Sequence, residues 1–222
     1  MIVILKYRLN VFLLLTFLTM IFNGCAKESR INFQDSPKKL LKKIEMALDE
    51  GDKKAYEKCL MGEEVRINIA LSGFDVVQNI YLFQEKITKK YGSNVWDEFN
   101  KIKVEPGISI PKIFTKDSNW ASNASLIKIG NDIYKWYSEE TGQQFILSKK
   151  NDIWFYDLNM SWGEDQLNVS GLKKFNKCMG KAFEYGSEKV KLNSGDSLMS
   201  LKHLIGKYFW DCVGEMNRDM KL

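Results

Sequence analysis

Apolar residues recur at helical spacing through the region between residues 37 and 102. The spacing predicts four helices, over residues 37–50, 52–61, 64–91 and 93–102. Ser36 followed by Pro37 is typical of a helix start, because the hydroxyl caps free N–H groups and proline fits the first turn. For the third helix the pattern predicts one buried stripe: Ile67, Ala70, Leu71, Phe74, Val77, Tyr81 and Gln84.

Near residue 102 the pattern changes to short β-branched and aromatic runs. Four runs of strand length, ASLIKI, DIYKWYS, QQFILSK and DIWFYDL, are separated by the turn sequences GN, EETG and KND. They predict an antiparallel meander. The preceding stretch KVEPGISIPKIF predicts an additional edge strand, where proline is tolerated. Helices followed by a meander indicate an α+β fold, with helices packed on a curved antiparallel sheet.

Two further amphipathic stretches follow, over residues 170–190 and 195–216, and KLNSGD joins them. This pattern predicts a C-terminal helical hairpin whose apolar stripes pack on the sheet domain or on each other. The predicted organisation is therefore an α+β domain over residues 37–162 and a hairpin appendage over residues 168–216.

The chain begins with a segment typical of a secretion signal. Lys6 and Arg8 precede an uncharged apolar run over residues 11–22. That run is shorter than the roughly 20 apolar residues that span a bilayer core, so residues 1–24 are predicted to be a signal peptide. Residues 25–36 are polar and unpatterned, which predicts a tether between the signal peptide and the first helix.

The end of this segment, Phe22-Asn23-Gly24-Cys25, resembles the lipobox of bacterial lipoproteins. Phe22 and Asn23 depart from the leucine and the small residue usual in that family. The resemblance implies cleavage before Cys25, a diacylglycerol on its sulfur and an acyl chain such as palmitate on the new amino group. It also implies a location in the bacterial cell envelope, facing away from the cytoplasm. Ala26 in place of aspartate favours the outer membrane if the organism has one.

A second resemblance concerns the fold. ALDEGDKKAYEKCL looks like the opening helix pair of the nuclear-transport-factor-2-like, or SnoaL-like, cone fold, and KKNDIWFYDL looks like its last strand. The resemblance covers residues 38 to about 160 and implies a cone-like sheet. Enzymes of that superfamily usually act through aspartate or histidine inside the cone, but this region contains no histidine.

Charge and cysteine content limit the partners, metal sites and disulfides that the sequence can indicate. The net charge of +5 falls to +3 without Lys6 and Arg8, too little to indicate a nucleic-acid partner. We predict no metal site and no cofactor, because the chain has one histidine and no paired-cysteine motif. Cys178 and Cys212 lie at similar distances from the turn of the predicted hairpin, which suggests a disulfide. Buried thiols are the alternative.

Aromatic residues suggest a binding surface. Tyr134 and Trp136 share one face of a predicted strand, and Trp154 and Tyr156 share a face of another. A concave sheet lined by these rings could hold a small apolar ligand, although aromatic core packing would give the same pattern. The sequence therefore leaves three hypotheses. They are a non-catalytic envelope lipoprotein that binds an apolar ligand or a partner protein, an assembly lipoprotein that docks through its hairpin, and an enzyme with an acid–base group in the cone.

Overall fold

The structure is a computed structural model. It describes residues 35–108, 110, 116–138, 143–162, 169–190 and 195–218, which all belong to one compact unit. The predicted signal peptide, the lipobox with Cys25 and most of the predicted tether lie outside the described residues.

The first two helices begin at capped positions. In α1 (Pro37–Glu50) the Ser36 hydroxyl accepts a hydrogen bond from the Lys39 N–H at 3.2 Å. Gly51 ends this helix in the left-handed conformation, with φ of 71°. The Asp52 carboxylate then caps α2 (Lys53–Glu57). The prediction that this second helix reaches residue 61 is wrong, because the chain leaves the helix and enters a strand that pairs with a distant one.

The third helix, α3 (Glu64–Tyr91), has the predicted bounds, and α4 (Val95–Lys101) follows it. The predicted single stripe on α3 is wrong in part. The helix lies between the sheet and the hairpin and therefore buries side chains on two sides. Its buried residues are Ile69, Ala70, Phe74, Val76, Ile80, Tyr81, Phe83 and Ile87.

The strands are β1 (Leu60–Met61), β2 (Leu126–Gly130), β3 (Ile133–Tyr137), β4 (Gln144–Lys150) and β5 (Ile153–Asp157). They form an open mixed sheet in the order β1-β5-β4-β3-β2. Strands β2 to β5 form the predicted antiparallel meander, whereas β1 pairs with β5 in parallel. The expectation of a wholly antiparallel sheet is therefore wrong.

The predicted edge strand over residues 103–114 does not occur among its described residues, 103–108 and 110. Its residues Ile108 and Ile110 instead pack in a cluster with the hairpin. The remaining residues of that prediction, 109 and 111–114, lie outside the described residues.

The chain continues through α5 (Leu158–Trp162), α6 (Val169–Lys189) and α7 (Leu198–Arg218). Helices α6 and α7 pack against each other, and α6 also packs along α3. The Cys178 and Cys212 sulfurs, 2.14 Å apart, form a disulfide bond between α6 and α7.

Lys202 on α7 is buried and donates to the carbonyl oxygens of Phe99 and Asn100 at 2.7 and 3.1 Å. None of the described helices is both long and apolar enough to cross a membrane.

The buried residues form two clusters. We call one the sheet-side core, formed by α1, α2, the start of α3 and one face of the sheet; its largest members include Leu40, Leu41, Ile44, Trp120, Trp136, Phe145, Leu147, Trp154 and Tyr156. The other is the hairpin-side core, formed by the rest of α3, α4, α6 and α7; its largest members include Ile80, Phe83, Ile87, Phe99, Met179, Phe183, Leu201, Ile205 and Phe209.

Candidate functional site

The four aromatic residues singled out from the sequence lie on one face of the sheet, which we call the inner face. Strand register brings them together: Tyr134 lies opposite Leu147, and Leu147 lies opposite Tyr156 on its other side. Alternation along each strand then places Trp136 and Trp154 on the same face. This face contributes to the sheet-side core.

The inner-face rings pack closely. Trp136, Trp154 and Tyr156 are buried, and Tyr134 is half-buried. The Tyr134 and Trp154 rings meet edge to face with centroids 5.4 Å apart. Phe145, which the sequence reasoning missed, joins the rest, because its ring lies 5.1 Å from Trp136 and 4.6 Å from Tyr156. The site is therefore a continuous aromatic surface built on three adjacent strands.

Trp120 covers this surface and was also missed from the sequence. Its ring stacks on Phe145 with a centroid distance of 5.7 Å and an interplanar angle of 8°, and it lies 5.0 Å from Trp136. It belongs to a segment of turns over residues 116–124, which we call the Trp120 loop. The only sequence signal was a single tryptophan inside the polar stretch DSNWASN.

Helix α1 holds the Trp120 loop through polar contacts. Glu45 is 1% exposed, and its Oε1 accepts a hydrogen bond from the Ala121 N–H at 3.1 Å. Lys42 Nζ lies 2.7 Å from Glu45 Oε2 and 3.2 Å from Asn119 Oδ1. One turn further along α1, Asp49 Oδ1 accepts from the Asp117 N–H at 3.2 Å.

The pKa shifts around the site have burial as their main cause. Burial raises the pKa of Asp49, and the nearby carboxylates of Asp117 and Glu45 raise it further, against the hydrogen bond from the Asp117 backbone. Burial also raises the pKa of Tyr156 to about 12. An aromatic surface in a poorly solvated setting favours contact with flat apolar groups.

The other candidate residues lie elsewhere. Cys178 and Cys212 form the disulfide in the hairpin, and Cys59 is a buried free thiol. His203 is exposed on α7. No cluster of three or more histidine, cysteine, aspartate or glutamate side chains suited to a metal ion occurs in the described part of the chain.

Comparisons with family models, with curated proteins and with solved structures each find no match to this chain.

Proposed function

We propose that this chain is a lipid-anchored, non-catalytic protein of the bacterial cell envelope that binds a small, flat apolar ligand on the inner face of its sheet. The proposal includes a cone-like curvature of that sheet, with the ligand held at its aromatic surface. The observation that carries it is the parallel stack of Trp120 on Phe145.

Trp120 differs from the other rings of the site in its support. Trp136, Phe145 and Tyr156 are fixed by strands, whereas Trp120 is carried by a loop that is held by polar contacts with α1 and by the burial of Trp120 and Ala121 in the sheet-side core. Movement of this loop would uncover the faces of Phe145 and Trp136. A flat ligand could then replace the Trp120 ring, because it would restore the same stacking contacts.

The carboxylates beside the loop favour binding over catalysis. Oxygens of Glu45 and Asp49 accept hydrogen bonds from loop N–H groups, so they have a structural task in the closed loop. The enzyme hypothesis, with one of them as the acid–base group, has less support.

The ligand proposal can be tested with the fluorescent probe N-phenyl-1-naphthylamine. Trp120→Ala removes the competing ring, and we expect about tenfold tighter binding, since an aromatic contact contributes about 0.5–1.5 kcal/mol. Trp136→Ala removes one ring of the aromatic surface and should weaken binding of the probe. Trp96→Ala is the matched control, because Trp96 stacks on Phe99 at 5.8 Å and 15° in the hairpin region. Equal affinity in the Trp120 and Trp96 variants would contradict the proposal.

The anchor is tested separately by Cys25→Ser or by globomycin, followed by membrane fractionation. We expect the uncleaved precursor to accumulate in both cases, and to lack the lipid in the Cys25→Ser variant. Normal maturation at the same position with full membrane retention would contradict the lipobox interpretation.

Docking through the hairpin is a second candidate function, favoured by the exposed apolar side chains Leu172, Phe175 and Trp210 on α6 and α7. A photoreactive phenylalanine analogue at position 175 should crosslink to a defined envelope protein, whereas the same analogue at position 199, exposed near the start of α7, should not. Equal crosslinking at both positions would argue against a docking surface around Phe175.

A further inference from the structure

Strand β2 forms one edge of the sheet. It pairs with β3 on one side, and no strand of the described part of the chain pairs with its other side. An edge strand of this kind presents backbone N–H and C=O groups that another extended chain can bind.

The side chains of β2 are unusual for an edge that faces water. Ile127 lies on the face opposite the aromatic surface, which we call the outer face, and Ile129 lies at an irregularity where the register between β2 and β3 shifts, between Lys128 and Gly130. The two side chains are 61% and 51% exposed. Tyr137 on the neighbouring strand is exposed on the outer face, and Ile133 and Phe155 are half-buried there. The solvent face of an antiparallel sheet normally carries polar residues, so this apolar strip indicates a contact surface.

Lys128 lies between the two isoleucines in the sequence. Its side chain is exposed on the inner face of the sheet. The positive charge of Lys128 restricts which strands can pair with β2. A second copy that paired antiparallel along the whole strand would place the two Lys128 ammonium groups directly opposite each other, which is unfavourable. A strand with an acidic residue at that position would instead gain an opposite-charge contact.

We propose that the open edge of β2 binds an extended segment of a different protein, in which apolar and acidic residues alternate. The segment would add a sixth strand. Side chains alternate between faces along a strand. An apolar residue of the segment would therefore lie beside Ile127 on the outer face, and an acidic residue would lie beside Lys128 on the inner face. The edge of β2 is not part of the stack of Trp120 on Phe145, so the proposal does not depend on the ligand or on the lipid anchor.

The probe is a fluorescein-labelled ten-residue peptide of alternating valine and glutamate, with an alternating valine–lysine peptide for comparison. Fluorescence anisotropy with the full chain should give about tenfold tighter binding of the glutamate peptide. Lys128→Glu should reverse this preference. Lys150→Glu is the matched control, because Lys150 is equally an exposed lysine at a strand position but lies on β4, and it should leave the preference unchanged.

Amide hydrogen exchange locates the bound peptide. We expect added protection at residues 126–130 with the glutamate peptide, and no added protection with a peptide that is N-methylated along its pairing edge. The Ile129→Ser variant, which changes an exposed side chain, should bind the glutamate peptide more weakly. Protection elsewhere, or an unchanged preference in the Lys128→Glu variant, would overturn the proposal. Protection of residues 126–130 that rises with protein concentration without peptide would also overturn it, because the occupant would then be a second copy.

Discussion

The sheet-side core and the hairpin-side core are both well buried, but they are closed in different ways. On the sheet side, Trp120 completes the aromatic surface from a loop that is held by the polar contacts of Lys42, Glu45 and Asp49. On the hairpin side, a disulfide joins α6 to α7, and the backbone at Gly186 and Gly206 approaches neighbouring groups closely.

From this difference we expect the Trp120 loop to open more easily than the hairpin. Each polar contact to the loop contributes about 1 kcal/mol on a net basis. Opening of the loop would also expose Trp120 and Ala121, which are buried in the sheet-side core, while the strands and α1 stay in place. The hairpin is held by a covalent bond and by close packing at Gly186 and Gly206, so we expect these contacts to be lost only when the surrounding region unfolds. The proposed ligand exchange would therefore take place on the sheet side, with the hairpin side as its support.

The largest expected effect comes from removing the disulfide. The bond joins residues 34 positions apart, and the chain-entropy model gives about 4 kcal/mol for a closed loop of that length. The Cys178→Ala/Cys212→Ala double variant should lose about that much free energy of unfolding, measured by urea denaturation. If reductant lowered the unfolding midpoint of this variant as much as that of the parent chain, the effect would not belong to this bond.

Alkylation gives an independent check on the same bond. Burial raises the pKa of the Cys59 thiol to about 11, so the native chain at pH 8 should take up no label at this position. The denatured, unreduced chain should gain one label at Cys59 and none at Cys178 or Cys212. Labels at all three would contradict the disulfide.

A smaller effect is expected from Gly206→Ala in the hairpin-side core. A Cβ atom at this position would overlap the backbone carbonyl oxygen of Pro106, and the resulting strain should cost about 3 kcal/mol. Gly214→Ala on the same helix is the control, since no atom of the described residues outside the helix's own backbone lies within 4 Å of its added Cβ, and it should stabilise by about 0.5–1 kcal/mol. Similar losses in both variants, measured by thermal unfolding, would show that the contact with Pro106 is not the cause.

On the sheet side, Glu45→Ala should cost about 2 kcal/mol, because it leaves the Ala121 N–H and the Lys42 ammonium without this acceptor. Hydrogen exchange should accelerate at residues 117–121 well before the chain unfolds. Glu50→Ala, at an exposed position on the same helix, should change stability by less than about 0.5 kcal/mol. If the loop amides of the Glu45 variant exchanged only through global unfolding, the loop would not open independently.

The smallest effect concerns pH. The pKa of Asp49 in the folded chain lies above its ordinary value of 3.8, mainly because of burial, so ionisation of this group disfavours the folded state. The penalty is absent below the ordinary value and is complete once the pH exceeds the raised pKa. Asp49→Asn should therefore raise the melting temperature at pH 7 and leave it unchanged near pH 3, as calorimetry would measure. An equal change at both pH values would indicate a different cause.

Local signals allowed several elements to be predicted from the sequence. Ser36, Pro37 and Gly51 mark the ends of α1, and Gly92 marks the end of α3. The turn sequence KND is another such signal, since Asn151 and Asp152 both have positive φ in the turn between β4 and β5. The alternation of side chains along a strand also assigned Tyr134 and Trp136 to one face of β3. It assigned Trp154 and Tyr156 to one face of β5.

The features that were missed depend on contacts between distant parts of the chain. A two-residue strand such as β1 has no period to detect, and it exists only because β5 lies beside it. The two-sided burial of α3 depends on the hairpin packing along it. Trp120 has no periodic neighbours. Its role depends on Phe145 and on Glu45, which holds the backbone of Ala121, 76 residues further along the chain.

The pairing of β1 with β5 also sets an order of assembly. The Glu63 N–H donates to Asn159 Oδ1 across 96 residues, close to the point where Leu60 pairs with Tyr156. During synthesis the early segment that includes the apolar residue Leu60 therefore has no strand beside it until roughly a hundred further residues have been made. A product truncated before residue 153 would retain this uncovered segment permanently, which would mark it for proteolysis in a way that the finished chain avoids.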